Sequence, residues 1–218
     1  MIGRALLAAG LMLVSASAFG QTPQAGWIAD ARTGCRVWDA NPQPDEAVSW
    51  SGACRNGFAQ GRGVLQWFQS GKPVALAKSR WRGGKMNGRG AITLANGEHF
   101  KGQWKNDERT GHGVYIYANG DRYDGQYRDD QKSGRGAYIY ANGGRYSGEW
   151  RDGMKNGRGT EVRADGSRYD GLWRDDLPNG PGMATWLNGE RYVGLWVMGC
   201  FRAPGRIASW GVDLEACQ

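Results

Sequence analysis

The sequence has almost no histidine and none of the motifs that mark common classes of enzyme. Only His99 and His112 occur among its 218 residues. No Gly-x-Ser-x-Gly, His-Glu-x-x-His or phosphate-binding loop is present. No group of cysteine, histidine and acidic residues has the spacing of a metal site. The sequence therefore predicts a protein that is not an enzyme and that needs no cofactor.

Long apolar runs are also absent, apart from one near the N-terminus. The ten residues 5–14 are apolar, but a helix of that length cannot cross a hydrocarbon core of ~30 Å. This run follows Arg4 and precedes Ala16-Ser17-Ala18, which is a cleavage signal for exported proteins. We therefore predict a bacterial signal peptide over residues 1–20, a mature N-terminus at Phe19 or Gln21, and a periplasmic or secreted protein with no transmembrane segment.

Cysteine is scarce, and no Cys-x-x-Cys motif occurs. The chain contains four cysteines, all of them after the predicted cleavage site: Cys35, Cys54, Cys200 and Cys217. An even number of cysteines in an exported chain favours disulfide bonds over free or redox-active thiols.

Glycine and aromatic residues are abundant, and they recur with a fixed period of 23 residues. The chain has 37 glycines and 25 aromatic residues (11 Trp, 9 Tyr and 5 Phe). Each period contains the pattern Tyr-x-Gly-x-Trp, then a Gly-x-Gly pair, and it begins at Phe100, Tyr123, Tyr146, Tyr169 and Tyr192. Less regular copies begin at Trp50 and Ala77. A fixed period of this length indicates a repeat architecture.

Each period predicts two short antiparallel strands. The first is Tyr-x-Gly-x-Trp, and the second follows the Gly-x-Gly pair. Ala-Asn-Gly or Ala-Asp-Gly connects the second strand to the next repeat and indicates a hairpin. A two-residue loop would place Tyr115 and Tyr123 on opposite faces, whereas a three-residue loop ending at a left-handed Gly120 would pair them. We predict the three-residue loop because it collects the aromatic side chains on one face.

This aromatic face has two interpretations. It is the core of a single-layer sheet, or it is in part a platform for sugars or peptides. One repeat interrupts it with Glu161 and Arg163, either as a solvated ion pair or as a polar point of recognition. The candidate binding residues are Tyr115, Tyr117, Tyr138, Tyr140, Glu161, Arg163 and Trp186.

The chain is basic, with a formal net charge of +7 that becomes +6 without Arg4. Arginines recur beside the tyrosine and tryptophan positions and are predicted to lie on the opposite face. One interpretation is that these arginines form a surface that binds anionic lipid or glycan. The other is that they form a solvated face whose positive charge is balanced by acidic turn residues. Nucleic acid is not an expected partner of an exported protein. This basic face comprises Arg122, Arg145, Arg168, Arg191, Arg128, Arg151 and Arg174.

The recurring Tyr-x-Gly-x-Trp, Gly-x-Gly and Asn-Gly elements over residues 50–199 resemble the MORN repeat (membrane occupation and recognition nexus). The resemblance implies hairpins laid side by side in one sheet, a role in protein interaction, and in some members association with acidic phospholipid. It does not imply catalysis. The chain departs from the family pattern by its export signal and at Cys54, Tyr127, Asp107, Asp130, Asp176 and Pro181.

The open sheet restricts the disulfide pairing. About twelve strand steps of ~4.8 Å place Cys54 and Cys200 on the order of 55 Å apart, whereas a disulfide requires Cα atoms within ~7 Å. The sequence therefore predicts Cys35–Cys54 and Cys200–Cys217, each fastening a terminal segment over one end of the sheet.

The predicted fold is an all-β, elongated, single-layer antiparallel sheet of tandem hairpins with disulfide-capped ends. Its parts are a signal peptide (1–20), an N-terminal cap (21–49), six repeats and a half repeat (50–199), and a C-terminal cap (200–218). The expected function is a non-catalytic protein-interaction module of the bacterial envelope. The alternative is peripheral binding of anionic envelope lipid or glycan through the basic face.

Overall fold

A computed structural model describes residues 26–218, so the predicted signal peptide lies outside the described residues. The described chain is almost entirely β-structure, with one short 3-10 helix at Leu214–Cys217. No helix in this part of the chain is long and apolar enough to cross a membrane. The strands are β1 (Gly26–Ala29), β2 (Arg36–Asp39), β3 (Glu46–Trp50), β4 (Ala53–Arg55), β5 (Phe58–Gln69), β6 (Lys72–Arg82), β7 (Lys85–Met86), β8 (Gly88–Leu94), β9 (His99–Lys105), β10 (Glu108–Ile116), β11 (Arg122–Arg128), β12 (Gln131–Ile139), β13 (Arg145–Arg151), β14 (Met154–Val162), β15 (Arg168–Arg174), β16 (Leu177–Thr185), β17 (Arg191–Val197), β18 (Cys200–Ala203) and β19 (Arg206–Ser209).

The strands form one open sheet of tandem hairpins, as the sequence predicted. From β8 to β19 every strand pairs antiparallel with the next strand along the chain. Three-residue loops join the hairpins at one border of the sheet, and two-residue turns join them at the other. Each repeat therefore contacts only its neighbours, as in other repeat proteins.

The predicted three-residue loop is confirmed. Tyr115 pairs with Tyr123, the Tyr117 N–H donates to the carbonyl of Asp121 at 2.9 Å, and Gly120 has a φ of 89°. The second strand is longer than predicted, because β10 begins at Glu108 and includes the glycine pair. A register shift at that pair accommodates the extra residues.

The two-residue turns explain three departures from the family pattern. Asp107, Asp130 and Asp176 have φ of 73°, 63° and 68°, a region that usually favours glycine. Each carboxylate accepts a backbone N–H from the preceding hairpin, so the side chain joins two neighbouring repeats. The donors are Met86 to Asp107 (2.6 Å), Arg109 to Asp130 (2.9 Å) and Lys155 to Asp176 (2.8 Å).

The core is a single file of aromatic rings that lie on glycines. A Cβ atom on Gly159 would lie 2.3 Å from the hydroxyl of Tyr146, so only glycine leaves room for this ring. Trp150 and Trp173 flank the same ring edge-on, with centroids at 5.2 and 5.3 Å. Because the contacts repeat along the sheet, Tyr123, Tyr146 and Tyr169 are each buried between two tryptophan-position rings without a second layer.

Both ends are more ordered than predicted. The predicted N-terminal cap contains β1, which pairs with β2 and brings Trp27 against Trp38 at 5.1 Å. The C-terminal cap adds β18 and β19 to the sheet instead of an irregular cover. The disulfides Cys35–Cys54 and Cys200–Cys217 are present as predicted, with Cα separations of 5.7 and 5.3 Å.

Candidate interaction surface

Four half-buried tyrosines form a continuous row on the aromatic face. Ring centroids are 4.4 Å apart between Tyr115 and Tyr117, 5.7 Å between Tyr117 and Tyr138, and 4.8 Å between Tyr138 and Tyr140. The row, called the tyrosine row below, lies where residues at alternate positions of β10 and β12 point to one face. All four were predicted binding candidates, and the structure brings them together.

Carboxylates at the loop border hold three of the four hydroxyl groups. The hydroxyl of Tyr115 donates to Glu98 at 2.7 Å, that of Tyr138 to Asp121 at 2.7 Å, and that of Tyr140 to Glu161 at 3.3 Å. Burial, followed by the bond to Glu98, raises the pKa of Tyr115 to about 12. These rings are therefore fixed in orientation as neutral phenols.

A row of cations crosses the aromatic face, and sequence reasoning missed it. Lys132 Nζ lies 4.1 Å from the ring centroid of Trp150, and Lys155 Nζ lies 4.8 Å from that of Trp173. Arg109 occupies the same place one repeat earlier, 5.4 Å from the ring of Tyr127. Burial lowers the pKa of Lys132, with Asp176 opposing the shift and Lys155 adding to it. The available signal was the recurrence of a basic residue at a spacing of 23 residues after three successive tight turns, at Arg109, Lys132 and Lys155.

Glu161 differs from both interpretations drawn from the sequence. It is 8% exposed and forms an ion pair with Lys155, not with Arg163. Its second oxygen accepts the indole N–H of Trp210 at 2.6 Å. Glu161, a predicted point of recognition on the aromatic face, is thus already in contact with the chain's own C-terminal segment.

Arg163 and Trp186 belong to the same arrangement. The guanidinium of Arg163 lies 3.8 Å from the ring centroid of Trp210. Trp186 meets the Trp210 ring edge-on at 5.7 Å, and Tyr169 lies at 5.9 Å. Trp210 is 1% exposed. These residues form a closed slot for one aromatic side chain, called the Trp210 slot below.

A cavity of about 430 Å³ adjoins the slot and the end of the tyrosine row. Tyr140, Asn142, Glu161 and Arg163 line it. The position taken by Asp121 in one repeat is Gly144 in the next, which provides much of the space. Aromatic, acidic and cationic side chains therefore lie close together where the tyrosine row meets the Trp210 slot.

The predicted basic face is divided by ion pairs. Arg122 contacts Asp124, Arg168 contacts Asp170, and Arg174 approaches Asp175 at 3.7 Å. The other four arginines form no ion pair within the described residues: Arg128, Arg145, Arg151 and Arg191. The seven arginines lie at strand positions next to the buried rings, and because three of them are paired they do not form one unpaired basic surface.

No group of three or more histidine, cysteine or acidic residues within residues 26–218 is arranged to hold a metal ion. The described surface instead offers fixed aromatic rings beside opposite charges. Such a surface can pack and hydrogen-bond with a polypeptide.

The family model for the MORN repeat matches six segments that together span more than half of the chain: residues 52–71, 79–99, 100–122, 123–145, 146–168 and 169–191. Comparison with curated proteins gave no match. One similar solved structure is the SAS-4 (dCPAP) TCP domain of Drosophila melanogaster in complex with a proline-rich motif of Ana2 (dSTIL). It is 16% identical, covers 72% of this chain and 85% of that chain, and has a TM-score of 0.40. At that score the likeness supports no inference about function.

Proposed function

Because the chain belongs to the MORN-repeat family, a non-enzymatic repeat module, we propose that it is a protein-interaction module of the bacterial envelope. Its aromatic face holds an extended segment of a partner protein. The tyrosine row is the part of the face that contacts this partner.

The observation that carries this proposal is the Trp210 slot. A peptide segment 49 residues away in sequence from Glu161 lies on the aromatic face and inserts a tryptophan between Arg163 and Trp186. This face therefore accepts polypeptide. The tyrosine row lies on the same face and presents the same kinds of group: aromatic rings, carboxylates that accept hydrogen bonds, and cations.

The tyrosine row is also suited to binding by its rigidity. Tyrosine offers a large contact area with only two side-chain torsions. Here the bonds to Glu98, Asp121 and Glu161 already fix three hydroxyl groups. Little side-chain entropy is then lost on binding, and lost side-chain entropy is one of the main costs of association.

Site-specific photo-crosslinking tests which face binds. A photoreactive amino acid replaces Tyr117 or Tyr140 in the intact exported protein, and the matched controls replace Ile116 or Ile139. The controls are the preceding residues in the sequence, which end β10 and β12 and are exposed on the opposite face. We expect crosslinks to protein from the two tyrosine positions and none from the isoleucines. Equal crosslinking from both faces, or from the isoleucines alone, would refute the proposal.

The envelope location is tested separately, because the predicted signal peptide lies outside the described residues. Sequencing of the mature N-terminus after fractionation should show Phe19 or Gln21, with the protein outside the cytoplasm. A protein that keeps Met1 and stays with the cytoplasmic fraction contradicts the location and leaves the face assignment intact.

A further inference from the structure

Two adjoining recesses open on the polar face of β5, β6, β8, β9 and β10, opposite the aromatic face. Their volumes are about 690 and 590 Å³. Both are lined by Lys78 and Arg89, so they form one continuous cleft across the strands. Glycines of the repeat pattern provide much of its floor, and long basic side chains form its walls. This cleft, called the basic cleft below, lies in the first three repeats, on the face opposite the tyrosine row.

The charge in the basic cleft has a single sign. Five exposed cations line it, and no carboxylate does: Arg62, Lys78, Arg80, Arg89 and Lys101. None of the five forms an ion pair within the described residues. In later repeats Asp124 and Asp170 lie among the arginines of the same face. The basic cleft is therefore a part of the polar face where several cations lie together without a carboxylate among them.

This arrangement opposes folding in the free protein. Arg62 and Arg80 lie directly opposite each other on β5 and β6, and like charges in such a pair are destabilising. A bound anion would remove that repulsion and gain charge-assisted hydrogen bonds.

The lining of the basic cleft distinguishes among anionic partners. A membrane surface is usually met by cations together with apolar side chains that enter the bilayer. Here none of the exposed large apolar residues lines the cleft. Single-stranded nucleic acid binds through aromatic stacking as well as charge, and no tryptophan, tyrosine or phenylalanine lines the cleft. The remaining polar side chains of the lining, Gln103 and His112, suit a hydrated ligand rich in hydroxyl groups.

We infer that the basic cleft binds an anionic polysaccharide, with carboxylate or sulfate groups held by the five cations. Successive strands are ~4.8 Å apart, so a linear chain crossing them meets cations from several strands in turn. The inference is independent of the proposed role of the aromatic face.

Calorimetric titration of the full exported protein tests the inference. The probes are heparin, polygalacturonate and neutral dextran. We expect binding to at least one of the two acidic polymers, weakening as salt rises because exposed charges are screened, and no binding to dextran. Arg80→Gln/Arg89→Gln should weaken binding about tenfold, which corresponds to ~1.4 kcal/mol for the two contacts.

The matched control is Arg128→Gln/Arg151→Gln, which removes the same charge from unpaired arginines on the same face. It should leave affinity within about twofold, a difference below ~0.5 kcal/mol. Equal losses in both variants would show a diffuse charge effect and overturn the inference. No binding to either acidic polymer, or tighter binding to phosphatidylglycerol vesicles or single-stranded DNA, would also overturn it. Tyr117→Ala should bind the polymer normally, so a failure here is separable from a failure of the partner proposal.

Discussion

The indole N–H of Trp210 donates a hydrogen bond of 2.6 Å to the carboxylate of Glu161, which joins the C-terminal segment to the repeat sheet. Both side chains are buried, and the same carboxylate is also paired with Lys155. A buried carboxylate without partners is costly. The contact therefore matters to the stability of the sheet and to the position of the tail.

Trp210→Phe keeps a six-membered aromatic ring in the slot and removes the N–H donor together with the rest of the indole's five-membered ring. It should lower the free energy of unfolding by about 1–3 kcal/mol, because one oxygen of a buried carboxylate loses its partner. Chemical denaturation measures the change. Trp27→Phe is the matched control, since Trp27 is 42% exposed. An equal, small loss in both variants would show that the hydrogen bond contributes nothing.

Glu161→Gln leaves the Lys155 ammonium buried without a counter-charge. The free energy of unfolding should fall by about 3 kcal/mol, the usual cost of breaking a buried ion pair on one side. Adding Lys155→Met should recover most of that loss, because Met86 occupies the equivalent place in the second repeat. Glu149→Gln, on an exposed carboxylate, is the control. A double variant no more stable than Glu161→Gln alone would contradict the interpretation.

The carboxyl of Asp107 makes stability depend on pH in an unusual direction. Burial is the main cause that raises its pKa from 3.8 to about 6, against the opposing hydrogen bond from Met86 and the charge of Lys85. Its second oxygen is buried without a hydrogen-bond partner. The folded protein holds this proton more tightly than the unfolded chain, so this group's contribution to stability falls as pH rises between 3.8 and about 6.

Asp107→Asn should remove the loss of stability that the Asp107 carboxyl causes as pH rises. The stability of the variant relative to the parent should increase from pH 4 to about pH 6 and then stay constant. Thermal unfolding across this range measures it, with the neighbouring exposed Glu108→Gln as control. A parent and variant with parallel pH profiles would show that Asp107 is not the group responsible.

Gly159→Ala tests the packing of rings on glycines. The added methyl group would meet the Tyr146 ring at 2.3–2.5 Å, and overpacking of this kind costs about 1–3 kcal/mol or more. Gly143→Ala is the comparison, because its φ is 92° but nothing lies within 4 Å of the added atom. We expect a larger loss of stability at Gly159 than at Gly143. The reverse order would mean that backbone strain, not ring packing, requires the repeated glycines.

Much of the fold could be predicted because its contacts are local in sequence. The Ala-Asn-Gly loop sets the register, so Tyr115 pairs with Tyr123 as predicted. The tyrosine row then follows from strand alternation. The sequence pattern predicts a second strand that begins only after the glycine pair, so it does not place Lys155 in the sheet. The strand begins before that pair, so Lys155 is part of β14 and pairs with Trp150.

The sequence by itself determined the period, the hairpins, the aromatic face and the disulfide pairing, because each depends on contacts within one repeat or between neighbours. Only the tertiary structure decided what lies on that face. Trp210 is outside the repeat, so no period relates it to Glu161, and its position depends on how the tail folds back. The basic cleft likewise became visible only when strand pairing showed Arg62 opposite Arg80 with no acidic side chain in the lining.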